Sequence, residues 1–291
     1  MLDNLSAVTG LLDTLFIPIL LVEIFVLRRA RELGWARVKE MLANGVTGLV
    51  LIPAAIVGAV FWIWVFDGVG SIVPWSIPTT WWSIVLAVVI SDFIYYWEHR
   101  WSHEVRVLWD SFHSVHHSSP KFDQTTGLRI GVVDGLATTG FHLPMIVMGF
   151  STTLTLASIA VVLAYQTWIH TEVVRKMPRW FEAIFNTASH HRVHHGADDL
   201  YLDTNYGGIL IVWDRMFGTF QAEEFRPTYG LTTQIESSNP IDIQLSQLRL
   251  LWRDLRSDTS WRTRWARLWN RPGWNPVDPA PVAPVTEGVG R

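Results

Sequence analysis

Histidine is the residue whose spacing asks for a chemical explanation. His99 and His103 stand i, i+4 in the run Tyr96-Trp97-Glu98-His99-Arg100-Trp101-Ser102-His103. On a helix, both rings project from one face, about 6 Å apart. His113-Ser114-Val115-His116-His117 places rings at i, i+3 and i+4, and His190-His191-Arg192-Val193-His194-His195 repeats that spacing from His191. His170 stands alone ahead of Thr171-Glu172. A lone histidine is ordinarily a hydrogen-bonded core or surface residue; His142 is read that way, and His170 would be in isolation. Two H-x-x-H-H runs and one H-x-x-x-H in a single chain read as metal-binding boxes.

Nine of the 11 His fit this scheme. Eight or nine imidazoles exceed the four positions of one zinc site, so at least two ions are implied. Imidazole suits iron, zinc, copper and nickel, so the nitrogens by themselves do not choose. There is no H-E-x-x-H: His103-Glu104 is followed by Val105-Arg106-Val107, which removes the main signature of a zinc metalloprotease. Two ions with open positions beside apolar helices fit iron-dependent oxygen chemistry on a membrane-dissolved substrate.

Metal-bound imidazoles need carboxylates or carbonyls to fix their tautomer. Asp92 is the first candidate, since Asp92, Tyr96, His99 and His103 form a stripe at i, i+4, i+7 and i+11. A carboxylate inside an apolar segment usually faces a functional interior, the alternative being a helix-end acid near the interface. Glu104 reads either as a base beside the metals or as a surface acid. Glu98, Glu172, Asp198, Asp199 and Asp203 also lie near the boxes.

The elements that must position these residues are apolar. Hydrophobic residues make up 49% of the 291 and charged residues 17%, where soluble domains carry about a quarter charged. A net charge of −3 offers no basic excess for nucleic-acid phosphates, so no nucleic-acid partner is expected. Cysteine is absent, which excludes disulfides, zinc-thiolate sites and Cys-bound iron–sulfur clusters. Met1 to Gly10 has no basic n-region, so the first apolar run reads as a retained span. Runs at 11–27, 41–66 and 79–97 are long enough to cross a bilayer core of about 30 Å. Arg28, Arg29, Arg31, Arg37 and Lys39 place the first connection in the cytoplasm, so the third run returns there and delivers His99. Ile130 to Phe150 and Thr152 to Ile169 read as a spanning or re-entrant hairpin broken at Gly149-Phe150-Ser151. The expected fold is therefore all-α and integral to the membrane. It has about four transmembrane or re-entrant helices and a cytoplasmic helical cap carrying the boxes. We divide the chain into transmembrane helices over 1–98, a histidine-box core over 99–237 including the hairpin 130–169, an amphipathic helix over 238–271, and a disordered tail over 272–291. The amphipathic segment, with Leu and Trp among many Arg, would rest on the other helices or on the membrane surface.

With these residues in hand, the chain resembles the sterol desaturase and fatty acid hydroxylase superfamily of membrane di-iron enzymes. The resemblance covers roughly 91–220: Asp92 through His103, Trp109 through His117-Ser118-Ser119, Asn186 through Gly196, Asn205-Tyr206-Gly207-Gly208, and Trp213 through Phe220. His103-Glu104, His117-Ser118-Ser119 and Thr125 through Arg129 look most like the alkylglycerol monooxygenase branch, which hydroxylates ether lipids with a pterin as reductant. The resemblance implies two iron ions and carries the family's ligands onto His99, His103, His113, His116, His117, His191, His194 and His195, with His170 as the additional ligand. His190 falls outside the pattern and is left as a neighbour. The implied activity is O2-dependent hydroxylation of a lipid or sterol-like C–H bond, with electrons from a ferredoxin, a cytochrome b5-like protein or a pterin. Asp92 and Glu104 are the candidate catalytic carboxylates. A desaturase on the same scaffold is the alternative. A metal carrier would place ionisable ligands along the spans, whereas these gather at one end.

Overall fold

Where the sequence is apolar and nearly free of charge, the chain forms long helices. The computed structural model describes residues 2–258 and 260–276, with side chains from Phe16 onward. Three helices come first: α1 (Leu2–Arg29), α2 (Trp35–Ile72) and α3 (Trp81–Glu104). Arg31, with φ of 59°, ends the first turn of chain after α1, and Gly34 caps α2. At 38 residues, α2 is about 57 Å long, more than a bilayer core requires. Its apolar side chains face outward: Leu49, Val57 and Trp64 are 65%, 70% and 73% exposed. An apolar surface of that extent is stable only against lipid or another apolar partner. Two helical stretches, Trp35–Ile72 and Thr152–Ile169, are long and apolar enough to cross a membrane among the described residues.

The predicted hairpin forms with a different first arm. Its second arm is one helix, α6 (Thr152–Tyr165), but its first is split into α4 (Asp134–Phe141) and α5 (Leu143–Val147), each too short to cross a bilayer alone. The break falls at His142, beside Pro144, which has no N–H to continue the ladder. Gly140 lets the arm approach α2, since a Cβ there would lie 2.5 Å from the Trp62 ring. Trp62 Nε1 donates to the Leu136 carbonyl at 2.7 Å. The turn between the arms uses Gly149 at φ +96°, where an L side chain is strained. Ser151 then caps α6 by accepting from Leu154 N–H.

Helix α6 packs most extensively on α3, and Ala87, Met145, Phe150 and Leu154 form the core between them. Helix α1 is pinned to the histidine region through buried Glu23, which accepts from Gln124 N–H at 2.6 Å and Thr171 Oγ1 at 2.5 Å. The third box sits on α7 (Ala188–His194). The C-terminal amphipathic segment is two helices, α8 (Pro240–Ser257) and α9 (Trp261–Trp269), because Asp258 leaves the helix in an extended conformation and Ser260 caps the next. No helix follows from Arg271 to Pro276, and the rest of the predicted tail, 277–291, lies outside the described residues.

Candidate metal centre

The first box continues α3, so His99 and His103 share its buried face. The chain then passes through a π-helical turn, Trp109–His113, into the short helix Ser114–His117. This wider turn aims His113 inward ahead of His116 and His117. Buried Arg129 clamps the box from below, donating to Ser118 Oγ at 2.9 Å, Glu40 at 2.9 Å and Asn44 at 3.1 Å. His170 follows the last turn of the α6 arm, and α7 contributes His191 and His194, with His195 directly after it.

Nine imidazoles converge in two groups. His99, His103, His113, His117 and His194 form one; His116, His170, His191 and His195 form the other. Within each group the candidate ligand atoms lie within 4.8 Å of one another. His117 and His195 stack with ring centroids 4.3 Å apart, joining the two groups.

The arrangement of protons fits cations between the rings. His116 Nδ1–H donates to the Arg129 carbonyl at 3.2 Å, and His170 Nδ1–H to the Gln166 carbonyl at 2.9 Å. A carbonyl accepts only, so each neutral ring carries its hydrogen on Nδ1. Their Nε2 atoms, 3.3 Å apart, then face each other as two lone pairs. His191 Nε2 lies 2.8 Å from that of His170 and 3.2 Å from that of His195. In the first group, His99 Nδ1–H donates to the Tyr206 carbonyl at 2.8 Å and His194 Nδ1–H to the Thr204 carbonyl at 2.9 Å. Both of their Nε2 atoms are buried with no hydrogen-bond partner. Desolvated, mutually facing lone pairs are costly without a cation to share. The two groups therefore fit a metal site. Burial pushes His113, His116 and His170 down to about 3 and holds the other six well below the ordinary histidine range, so all nine stay neutral and available as ligands at pH 7.

The predicted carboxylates sit elsewhere than the spacing suggested. Asp92 touches no imidazole. It accepts from Ile209 N–H at 2.6 Å, Leu210 N–H at 3.1 Å and Trp213 Nε1 at 2.9 Å. It is linked to His99 through the loop it holds, whose Tyr206 carbonyl accepts the hydrogen bond from His99 Nδ1–H. Glu104 is engaged by Arg100 at 3.3 Å and Arg271 at 2.9 Å, as a surface acid would be. The acids that face imidazoles are Asp203, 3.6 Å from His103 Nδ1, and Asp134, 4.0 Å from His113 Nδ1. Asp134 had a signal in the sequence, an acid inside an apolar segment. His142 belongs to neither group: it bonds Ser91 Oγ at 2.9 Å and the Thr138 carbonyl at 2.8 Å. His190 is likewise outside both and stacks edge-on to Phe220.

Two cavities reach the histidines from opposite groups of residues. One, of about 450 Å³, is lined by His113, His116 and His170 with Phe16, Ile17, Leu128, Ile130 and Leu163, and by the polar groups of Tyr95, Asp134 and Gln166. The other, of about 420 Å³, is more polar and meets His103, His117 and His194 beside Trp109, Asp203, Arg253 and Arg271.

Known proteins match this sequence. The fatty acid hydroxylase family model covers residues 84–219, which includes all nine histidines. An alkylglycerol monooxygenase from Homo sapiens is 39% identical over 206 residues, covering 71% of this chain and 45% of that protein; the Xenopus tropicalis protein matches to the same extent. An ornithine lipid hydroxylase of Rhizobium tropici is 33% identical over 47% of this chain and 41% of its own length, and the Rattus norvegicus lathosterol oxidase 27% over 54% and 50%. The chain thus spans less than half the length of the alkylglycerol monooxygenases it matches. No solved structure matches it. Residues 84–219, which hold every histidine of the two groups, are thus similar to a fatty acid hydroxylase domain, and the chain has relatives among alkylglycerol monooxygenases, a lipid hydroxylase and a sterol oxidase.

Proposed function

We propose that this chain is a multi-pass membrane oxygenase that hydroxylates a C–H bond of a lipid-like substrate, with its histidine centre on the cytoplasmic face. The observation that carries the reading is the apolar cavity ending on His113, His116 and His170: a hydrocarbon chain entering it has its leading carbon beside both histidine groups. The matching fatty acid hydroxylase model and the names of the relatives support a lipid as substrate, with the glyceryl ether lipids of the alkylglycerol monooxygenases first among those to test.

His99, His103, His113, His117 and His194 would hold one iron ion and His116, His170, His191 and His195 the other. When bound, the iron pair supplies reduction of O2 and removal of hydrogen from an unactivated carbon. The chain's own part is positioning and exclusion. The Nδ1–H bonds to the carbonyls of Tyr206, Thr204, Arg129 and Gln166 keep Nε2 directed at the centre. Phe16, Ile17, Leu128 and Leu163 keep water from the lipid-facing cavity, and Asp134 with Tyr95 gives it one polar side. Asp92 acts as a positioning residue through the 205–213 loop, and Glu104 as a surface partner of Arg271. The net reaction inserts one oxygen atom into C–H and reduces the other to water, consuming two protons from solvent and two electrons from an external reductant, whether a ferredoxin, a cytochrome b5-like protein or a pterin. The polar cavity at His103, His117 and His194 is the side from which a water-soluble donor can approach.

The test is metal analysis joined to a labelled turnover. Purified chain in detergent or bilayers should hold two iron per chain and, with a glyceryl ether lipid, reductant and 18O2, give a product heavier by one labelled oxygen. Loss of two hydrogens without label would make the chain a desaturase. Freely exchanging metal with no oxygen uptake would overturn the enzyme reading.

A further inference from the structure

The two C-terminal helices display side chains that a water-facing helix would hide. Along α8, Ile243 and Leu251 are buried, and Ile243 clusters with Ala43 of α2 and Val115. The face turned away from this core is apolar too. Ile241, Leu248 and Trp252, at i, i+7 and i+11, are 63%, 37% and 57% exposed. Helix α9 repeats the pattern with Trp261, Trp265 and Trp269 at i, i+4 and i+8, all exposed and none of its residues buried. A helix in water keeps its second face polar; a continuous apolar stripe there needs a cover.

Charge says what the cover is. Residues 240–271 hold seven Arg against three Asp, in a chain whose net charge is −3. The three acids are already engaged: Asp242 by Arg249, Asp254 by Arg106, Asp258 by Arg267. Arg253, Arg256, Arg262 and Arg264 remain exposed, and Arg256 and Arg262 lie over the Trp252 and Trp261 rings at 5.0 and 5.7 Å. Level says where it is. Ser238 Oγ donates to Glu40 at 3.0 Å, so α8 begins beside the point where α2 turns apolar and exposed at Leu42. Gln244 donates to the Ile130 carbonyl at 2.8 Å and accepts from Val132 N–H at 3.1 Å, which places the stripe next to exposed Val132 and Val133. The apolar stripe is thus continuous with surface that α2 and the residues before α4 already offer to lipid.

We propose that the α8–α9 face lies on the bilayer surface and binds anionic phospholipid. The Ile, Leu and Trp side chains enter the acyl boundary, and the four exposed arginines meet headgroup phosphates, Arg253 from beside Asp254 and Arg264 from beside the Asp258 carbonyl. Tryptophan favours that boundary, and basic amphipathic helices combine apolar burial with attraction to anionic lipid. This depends on α2 spanning a bilayer and is independent of the reaction at the histidines.

The chain has no cysteine, so single-site labelling is direct. A nitrobenzoxadiazole probe is placed on Leu248→Cys, Trp265→Cys and, as a water-facing control, Thr233→Cys. Each full chain is reconstituted at one copy per nanodisc, in phosphatidylcholine or in phosphatidylcholine with phosphatidylglycerol. Lipids spin-labelled near the headgroup should quench the probes at 248 and 265 several-fold more than at 233, and more strongly with phosphatidylglycerol present. Gln at Arg253, Arg256, Arg262 and Arg264 should remove the lipid dependence; should that variant not insert, the two lipid mixtures with native arginines still decide the charge question. Quenching equal to the control, with full access to aqueous iodide, overturns the proposal. Equal quenching in both mixtures overturns its anionic part. Probe-to-probe contact in multi-copy vesicles, with no lipid quenching, makes the stripe an interface between copies and overturns it as well.

Discussion

The ring of His99 and the backbone of Tyr206 are joined by one hydrogen bond of 2.8 Å, from Nδ1–H to the carbonyl oxygen, and two buried carboxylates hold that carbonyl in place. Asp214 accepts from Tyr206 N–H at 2.7 Å and Gly207 N–H at 2.8 Å, while Asp92 takes the next amides, Ile209 and Leu210. The glycines of Asn205-Tyr206-Gly207-Gly208 admit these acids. A Cβ on Gly207 would lie 2.9 Å from Asp214 Oδ2, and one on Gly208 2.8 Å from Asp92 Oδ1. Asp214→Asn replaces one accepting oxygen by a donor against a backbone N–H, so the Tyr206 carbonyl shifts while all nine histidines remain. Metal affinity should fall about 10- to 100-fold, the usual cost of losing support behind a ligand. Competition against a chromophoric chelator measures it; unchanged affinity would show that the loop holds Tyr206 without Asp214.

The partition of the nine rings predicts a divided loss of metal. His194 belongs to the first group and His116 to the second. Alanine at His116 should lower iron from two to about one per chain, because three imidazoles remain in its group. Alanine at His194 leaves four and should weaken the binding of that ion, while the other group keeps its own set. Oxygen consumption should vanish in both. Elemental analysis of the two variants and the double variant tests this: complete loss in each single variant would mean one shared site.

Helical spacing explains why so much of this centre was legible. Rings at i, i+3 and i+4 share a face, so the boxes announced themselves, and His170 ended an apolar segment whose other flank carried a box. The partition was hidden, because His116 and His117 are neighbours in sequence that turn to different groups, as do His191 and His194. Asp92 misled for a related reason. A carboxylate in an apolar helix takes whichever donors arrive, and these came from amides over a hundred residues downstream. Glu104 likewise found Arg271. The hairpin's first arm carried its own warning in Gly140, His142 and Pro144, which together split the helix that its apolar composition suggested.

Acid should dismantle the centre over a definite range. Burial lowers His113 and His116 from the ordinary 6.5 to about 3, so the folded chain keeps them neutral where the unfolded chain charges its histidines. Between about pH 6.5 and 3 the unfolded state binds more protons, and stability falls as pH falls. Metal binding needs the same neutral rings, so affinity declines in the same direction. Buried carboxylates held above their ordinary range, Asp110, Asp203 and Asp214 among them, act the other way as they protonate, and the nine histidines outnumber them. Thermal unfolding of the chelator-treated chain, followed at pH 6 and 5, should therefore show a lower midpoint at pH 5; a midpoint that rises over that step would mean that the carboxylates outweigh the rings.

Filling the apolar cavity should impair turnover without touching the metal. Leu163 lines that cavity with His113, His116 and His170 and is 46% exposed, so a larger ring can be accommodated there without repacking a closed core. Leu163→Trp takes up space that a lipid chain would occupy. Apolar pockets discriminate by roughly 1–3 kcal/mol for changes of this kind, or about 10- to 200-fold in kcat/KM. The loss should be largest for long-chain substrates and smallest for truncated ones, while iron content and thermal stability stay at the native level. Comparing lipids of two chain lengths on the variant and the native chain reads this out. Equal kcat/KM for both lipids in the variant and the native chain would move substrate entry to the polar cavity beside His103 and His194.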